Sequence, residues 1–333
     1  MAVIDTDALS AQLRQRSIRP ATQQLLISRI EGSDQEGDLS ESPNCSGYGR
    51  IRHFRLATQA PWPENQLPIL PVALRLGIAP NTIMTAQVFQ NASCNWRCWY
   101  CFVPFNLLSA SEERSGWLTA DDMISLYLKE DDRPRVIDCS GGQPDLVPEW
   151  VPWMMRALLD RGLGDSVYLW SDDNLSNDYF WRYLSASDHE MIASYRLYGR
   201  ICCFKGFNRS SFAFNTKAAP ELFDRQFVLF RRLARLGIDL YAYATFTATD
   251  DVGAGRDMAI FIDRLQDIHP NLPLRLVPLR IEEFGVVMPR VRAEHRRALE
   301  VQEVAVEAWN AELRARFTEA ERRVPMPLVP FGR

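Results

Sequence analysis

Three of the chain's seven cysteines fall within eight residues, as Cys94-Asn95-Trp96-Arg97-Cys98-Trp99-Tyr100-Cys101. Thiolates this close in sequence are soft ligands, suited to zinc or to an iron–sulfur cluster. A structural zinc site usually takes four protein ligands, most often as two pairs. Neither a second Cys-x-x-Cys nor a nearby histidine supplies a fourth here. The remaining cysteines are Cys45, Cys139, Cys202 and Cys203, and the histidines (His53, His189, His269, His295) are scattered. Three thiolates alone can leave one iron of a [4Fe–4S] cluster open to an outside ligand, and an open metal position signals catalysis. A zinc knuckle and a purely structural cluster are the competing readings.

Composition limits the setting. The chain has 333 residues, 47% hydrophobic and 24% charged, the balance of a soluble globular protein and not of a disordered one. Its net charge of −4 makes a nucleic-acid partner unlikely on charge grounds. The longest uncharged stretch, 76–96, is broken by Pro80, Asn81, Gln87, Gln90, Asn91 and Asn95, so no bilayer span is expected. Asp5 and Asp7 stand where a signal peptide would be basic and then apolar, which points to a cytoplasmic protein. An odd cysteine count in that setting argues against a disulfide framework.

The cysteines need a scaffold. Residues 1–31 read as helical, 31–47 as an acidic Ser/Gly-rich linker or mobile loop, and 48–81, rich in proline, as a surface wrap. From residue 82 strands and helices alternate. Strands are expected at 83–90, 135–139, 167–171, 201–207, 238–246 and 274–281. Helices are expected at 119–129, 148–161, 178–184, 220–236, 258–266 and 292–317. Thr119 reads as an N-cap, and Phe223, Phe227, Phe230 and Ala234 share one helical face. Six such units predict a parallel sheet covered by helices, with chemistry in the loops after the strands. The first of those loops holds the cysteines.

The Cys-x-x-x-Cys-x-x-Cys spacing, with Tyr100 before the last cysteine, resembles the signature of the radical S-adenosylmethionine (SAM) superfamily. The resemblance implies an α/β fold, a partial (β/α)6 TIM-type barrel, over 82–282, with an N-terminal extension at 1–81 and a C-terminal one at 283–333. It implies one [4Fe–4S] cluster on Cys94, Cys98 and Cys101, with SAM on its free iron. Reductive cleavage of SAM then yields a 5′-deoxyadenosyl radical that abstracts a substrate hydrogen. Ser140-Gly141-Gly142-Gln143-Pro144 resembles the family's Gly-Gly-Glu-Pro element for the SAM amino group, with Gln143 in place of Glu. Asp172-Asp173-Asn174 and Phe204-Lys205-Gly206 resemble elements of glycyl-radical-enzyme activases. They place Asp172 and Asn174 on the ribose or methionine side and Lys205 on the SAM carboxylate. Tyr100 is expected near the adenine.

The expected function is that of a radical SAM enzyme, fed by an external one-electron reductant of the flavodoxin or ferredoxin type. A small molecule or a peptide or protein is the favoured substrate, and tRNA modification is an alternative. Arg280, Glu282 and Glu283 are candidate substrate contacts at the end of the sixth strand. A non-catalytic iron–sulfur sensor or electron carrier is the rival from another class. Cys139, Cys202 and Cys203 are expected to pack in the core, and Cys45 to have no role.

Overall fold

The computed structural model describes residues 3–57 and 59–331. Its main sheet has seven strands: β3 (Gly49–Arg55), β4 (Ile83–Gln90), β6 (Val136–Ser140), β7 (Tyr168–Asp173), β8 (Tyr198–Phe204), β9 (Leu240–Thr245) and β10 (Leu276–Leu279). Their order across the sheet is β10-β9-β8-β7-β6-β4-β3. The six from β4 to β10 run parallel, and β3 is antiparallel to β4 at one edge. The sheet curls into a half-barrel.

Alternation fixes the two faces of each strand. Outward-facing Phe89, Ile137, Leu169, Cys202 and Phe204 join the helical core. Phe204 alone meets Phe227 and Phe230 of helix α8 (Leu222–Ala234) and Phe261 of α9 (Ala254–Gln266), with ring centroids 5.0, 5.7 and 5.7 Å away. Burial of one such ring stabilises by about 1.5–3 kcal/mol. Inward-facing Phe54, Val136, Trp170, Ile201, Cys203 and Tyr243 form a second core. Ile69 and Val72 of α2 (Ile69–Leu76) fill it from within, so the proline-rich segment expected to wrap the surface instead plugs the concave side. That segment begins with β3, which joins the sheet itself.

Two other N-terminal expectations change. Helix α1 covers only Thr6–Ser17, and the chain then turns into β1 (Ile18–Arg19) and β2 (Gln24–Ser28). With β5 (Ser115–Thr119) these make a separate three-stranded sheet. The run Leu25-Leu26-Ile27 is buried throughout, which suits a covered strand and not an amphipathic helix. The acidic segment 31–47 is a fitted cover. Gln35 and Cys45 are buried, and the Asp38 carboxylate accepts from the Gly285 and Val286 amides at 2.8 and 3.0 Å.

The remaining helices sit close to expectation: α3 (Ala120–Tyr127), with a Thr119–Asp122 capping box, α4 (Trp150–Asp160), α5 (Tyr179–Tyr183) and α10 (Ala293–Arg316). Helices α6 (Ala186–Ser194) and α7 (Arg209–Thr216) were not legible. A short α11 (Glu319–Arg322) follows α10. No helix among the described residues is long and apolar enough to cross a membrane.

Candidate active site

The carboxyl ends of the parallel strands open into a cavity of about 260 Å³. Cys94, Cys98, Tyr100 and Cys101 from the loop after β4 line it, with Gly141 and Gly142 after β6 and Asp172 and Asn174 at the end of β7. Lys205 after β8 and Arg280 after β10 belong to the lining too. Glu282 lines it as well, and of the expected residues Gln143 and Glu283 lie outside the lining. A larger hollow of about 610 Å³ beside Trp117 carries no thiol and no parallel-strand end, so volume alone does not mark the site.

The cysteine loop is held from behind. Between the cysteines, Asn95 donates to the hydroxyls of Ser10 and Ser176 at 2.8 and 2.7 Å. The Trp96 indole donates to Thr6 at 3.1 Å, and that of Trp99 to Asn215 at 3.1 Å. Helices α1 and α7 therefore take up the intervening side chains, which leaves the thiols to face the cavity. Trp99 also stacks on His295 of α10, centroids 4.6 Å apart, and Arg290 donates to the Cys101 carbonyl at 2.6 Å.

Burial pushes the Cys98 thiol up to about 12 and raises Cys94 and Cys101 as well. A metal that binds them must displace protons, so binding is pH-dependent. Among the described residues no three His, Cys, Asp or Glu side chains are gathered so as to hold a single metal ion.

The glycine turn fits tightly against this loop. Gly141 and Gly142 have φ of +75° and +63°. A Cβ on Gly142 would lie 2.4 Å from the Ser93 carbonyl. The Gln143 backbone amide donates to that same carbonyl at 2.7 Å, so the turn is locked to the loop just before Cys94. The Gln143 side chain turns away from the cavity. It donates to Asp173 Oδ1 at 2.8 Å and accepts from the Asn174 amide at 2.9 Å. Asp173 in turn pairs with Arg200 at 2.9 Å, and Arg200 also pairs with Asp145. All three charged groups are at most 3% exposed, and burial pushes Asp145 up to about 7. An amide at 143 can donate to Asp173, which an ionised Glu could not.

Lys205 lies just past β8. Gln226 of α8 accepts from its backbone amide at 3.2 Å, and Asn215 donates to its carbonyl at 2.9 Å. The Lys205 ammonium has no hydrogen bond or ion pair among the described residues. Burial acts to lower its pKa; the sulfurs of Cys203, Cys98 and Cys94 and the Tyr100 phenol outweigh this and hold it above the ordinary value. The Tyr100 hydroxyl is tied to Thr245 at 3.0 Å. Arg280 stands on the rim, 3.8 Å from Glu282.

Several lining residues and supports do not stand out in the sequence. Cys203, in the inner core as expected, also lines the cavity, as do Arg52 and Tyr243. Gln226 bridges the Asn174 and Cys203 carbonyls, each at 2.9 Å. A glutamine on the apolar face between Phe223 and Phe227 was the available signal.

Neither a protein-family model nor a curated protein sequence matches the chain. Solved structures give partial likeness. One is Streptococcus suis SuiB bound to S-adenosylmethionine, at 16% identity and TM-score 0.38, over 53% of this chain and 36% of that one. Another is SuiB bound to the precursor peptide SuiA, at 16% identity and TM-score 0.37, over 54% and 35%. The matched part is thus about a third of their length. Likeness at this level does not set the chemistry of the chain; its own residues do.

Proposed function

We propose that the chain is a radical SAM enzyme, a partial (β/α)6 barrel that binds one [4Fe–4S] cluster and SAM in the cavity. The observation that carries this reading is the placement of Cys94, Cys98 and Cys101 after the first parallel strand, facing the same cavity as the Gly141-Gly142 turn and Lys205. The lining suits the two groups. Three thiols leave a cluster with one open iron, and Lys205 offers an unpaired ammonium to a carboxylate. Asn174 Oδ1 is buried and without a partner among the described residues, an acceptor for the SAM end near the cluster. When bound, the cluster and SAM together supply a carbon radical that removes hydrogen from substrate.

The chain's own residues bind, orient and exclude water. The cysteines would hold the cluster and the glycine turn would bring backbone close to SAM. Lys205 would fix the SAM carboxylate, and Tyr100, Phe102 and Val103 would keep the cavity apolar. An external one-electron donor of the flavodoxin or ferredoxin type completes the system. Substrate is a peptide or small molecule, with Arg280 at the entrance.

The test is anaerobic reconstitution with iron and sulfide, reduction with dithionite in the presence of SAM, and assay for 5′-deoxyadenosine. Its formation is expected. A brown protein that leaves SAM intact would indicate an electron carrier or sensor, and a colourless one with about one zinc per chain a knuckle.

A further inference from the structure

The concave wall beside the cysteine loop carries charges that the function proposed above leaves unused. Strand β3 directs Arg50, Arg52 and Phe54 to the concave face, in register with Val88, Ala86 and Met84 of β4. Phe54 lies in the inner core, which fixes that direction. Asp138 of β6 sits across Val88 from Arg50. Arg52 donates to Asp138 Oδ2 at 3.2 Å, and Ser140 donates to Asp172 Oδ2 at 2.6 Å.

Arg50 is 4% exposed and Asp138 0%. Yet Arg50 Nε and Nη2, Asp138 Oδ1 and Asp172 Oδ1 have no hydrogen-bond partner among the described residues. Buried polar atoms are nearly always paired, and four open ones on one wall mark a place prepared for a ligand. Phe102, Arg52 and Asp172 line the cavity, and Arg50 and Asp138 stand behind them, the Arg50 guanidinium 5.0 Å from the Phe102 ring centroid and Asp138 on Arg52. The resemblance puts Asp172 on SAM. In the structure its electrostatic neighbours are Arg50, Arg52 and Asp138.

Charge selects the ligand. Two guanidiniums face two carboxyls; burial and the neighbouring Asp172 push Asp138 up to about 7, so the wall is balanced when that carboxyl is ionised. A net charge brought into it would be buried without compensation, which is costly. The open atoms are N–H donors on one side and carboxylate acceptors on the other. A neutral group that pairs a carbonyl with an N–H satisfies both. Such an N–H also favours the ionised carboxylate, so ligand and charge balance support each other. We infer that Arg50, Arg52, Asp138 and Asp172 form the substrate subsite and that it takes a peptide group, its carbonyl on the guanidiniums and its N–H on the carboxylates. This rests on the reading of the cavity as the reacting end of the barrel, with Lys205 serving the SAM carboxylate.

Full-length chain, purified anaerobically with iron and SAM affinity measured alongside, is probed by saturation-transfer NMR. The probes are a pool of N-acetylated, C-amidated tripeptides, sodium acetate and uridine. The tripeptides should bind, with acetate and uridine unable to displace them. Arg50→Met and Arg52→Met should each weaken the tripeptides by about 10-fold or more, the effect of losing one charge-assisted hydrogen bond, with SAM affinity held within about 2-fold. Arg52→Lys keeps the charge and loses the fork, and should give a smaller loss in a protein less exposed to misfolding. Tripeptides that bind wild type and Arg52→Met equally would overturn the inference. So would displacement by acetate, binding of uridine in their place, or a chain that binds SAM and no tripeptide. A chain that binds tripeptides through these arginines but holds neither iron nor SAM would sink the proposed function and leave the subsite standing.

Discussion

The cysteine loop and the wall of Arg52 and Asp172, backed by Arg50 and Asp138, flank one cavity and are built in opposite ways. In the loop the polar groups between the cysteines are tied inside the chain: Asn95 to Ser10 and Ser176, Trp96 to Thr6, Trp99 to Asn215. On the wall, Arg50, Asp138 and Asp172 each keep buried atoms open. The first arrangement sets the place of the thiols before any metal arrives, so folding and not metal binding bears the ordering cost. The second leaves hydrogen bonds to be completed by a ligand that comes and goes. A fixed cofactor and an exchangeable substrate call for these two kinds of wall.

The largest effect expected on the fixed side is loss of metal. Replacement of Cys94, Cys98 or Cys101 by Ala should remove most of about four irons per chain, measured by iron assay on anaerobic protein. Cys139→Ala and Cys202→Ala should keep it, because both side chains point into the helical core. Equal iron in all five variants would erase the distinction between a metal loop and ordinary buried thiols.

Next comes the buried ion triad beneath the glycine turn. Arg200→Met strands Asp145 and Asp173 without their cation, which should destabilise by about 3–5 kcal/mol. The readout is the urea midpoint of the metal-free chain. Asp173 also holds Gln143 and the Leu175 amide at 2.8 Å, so iron retention should fall too. A change under about 1 kcal/mol would mean that the turn is not braced from below.

Gln143→Glu sharpens the same point. The new carboxyl would stand where an amide now donates to Asp173. Burial and a like charge raise its folded pKa above the unfolded value of about 4.3. The variant should therefore match wild type below about pH 4 and lose stability as pH rises, by at most about 3.7 kcal/mol at pH 7, the cost of protonating it there. Urea midpoints of the two proteins across pH measure this. A constant offset at all pH would show that Gln143 acts through packing and not through its donor.

Much of this was legible where local pattern and function agree. The cysteine spacing, the Thr119 cap and the apolar face of 223–234 all follow from residues a few positions apart. Strand β3 was not. Its sequence Gly-Arg-Ile-Arg-His-Phe-Arg reads as exposed, because the partner that lets Arg52 point inward, Asp138, lies 86 residues away. Cys203 does pack in the inner core, but only the curl of the sheet gives that face a cavity for it to border as well. The outward turn of Gln143 depends on Asp173 and Asn174, on another strand altogether.

Lys205 belongs to both kinds of wall, and its replacement tests where one ends. Its backbone is clamped by Gln226 and Asn215, as in the fixed loop, while its ammonium is unpaired, as on the open wall. Along β8, Ile201 and Cys203 face inward, and Lys205 continues that face just past the strand. A half-buried ammonium there is costly unless an anion meets it. A SAM carboxylate would form a charge-assisted hydrogen bond worth about 1.5–3 kcal/mol. Lys205→Met keeps the stem and removes the charge. SAM affinity, read by titration of the cluster's optical signal, should fall roughly 10- to 100-fold. Iron content should stay near wild type, since the backbone clamps do not involve the ammonium. Tripeptide binding should change little, because the wall is charge-balanced without Lys205. If SAM affinity held and tripeptide binding collapsed instead, Lys205 would belong to the substrate wall, and the SAM carboxylate would need another cation, with Arg280 the next one on the rim.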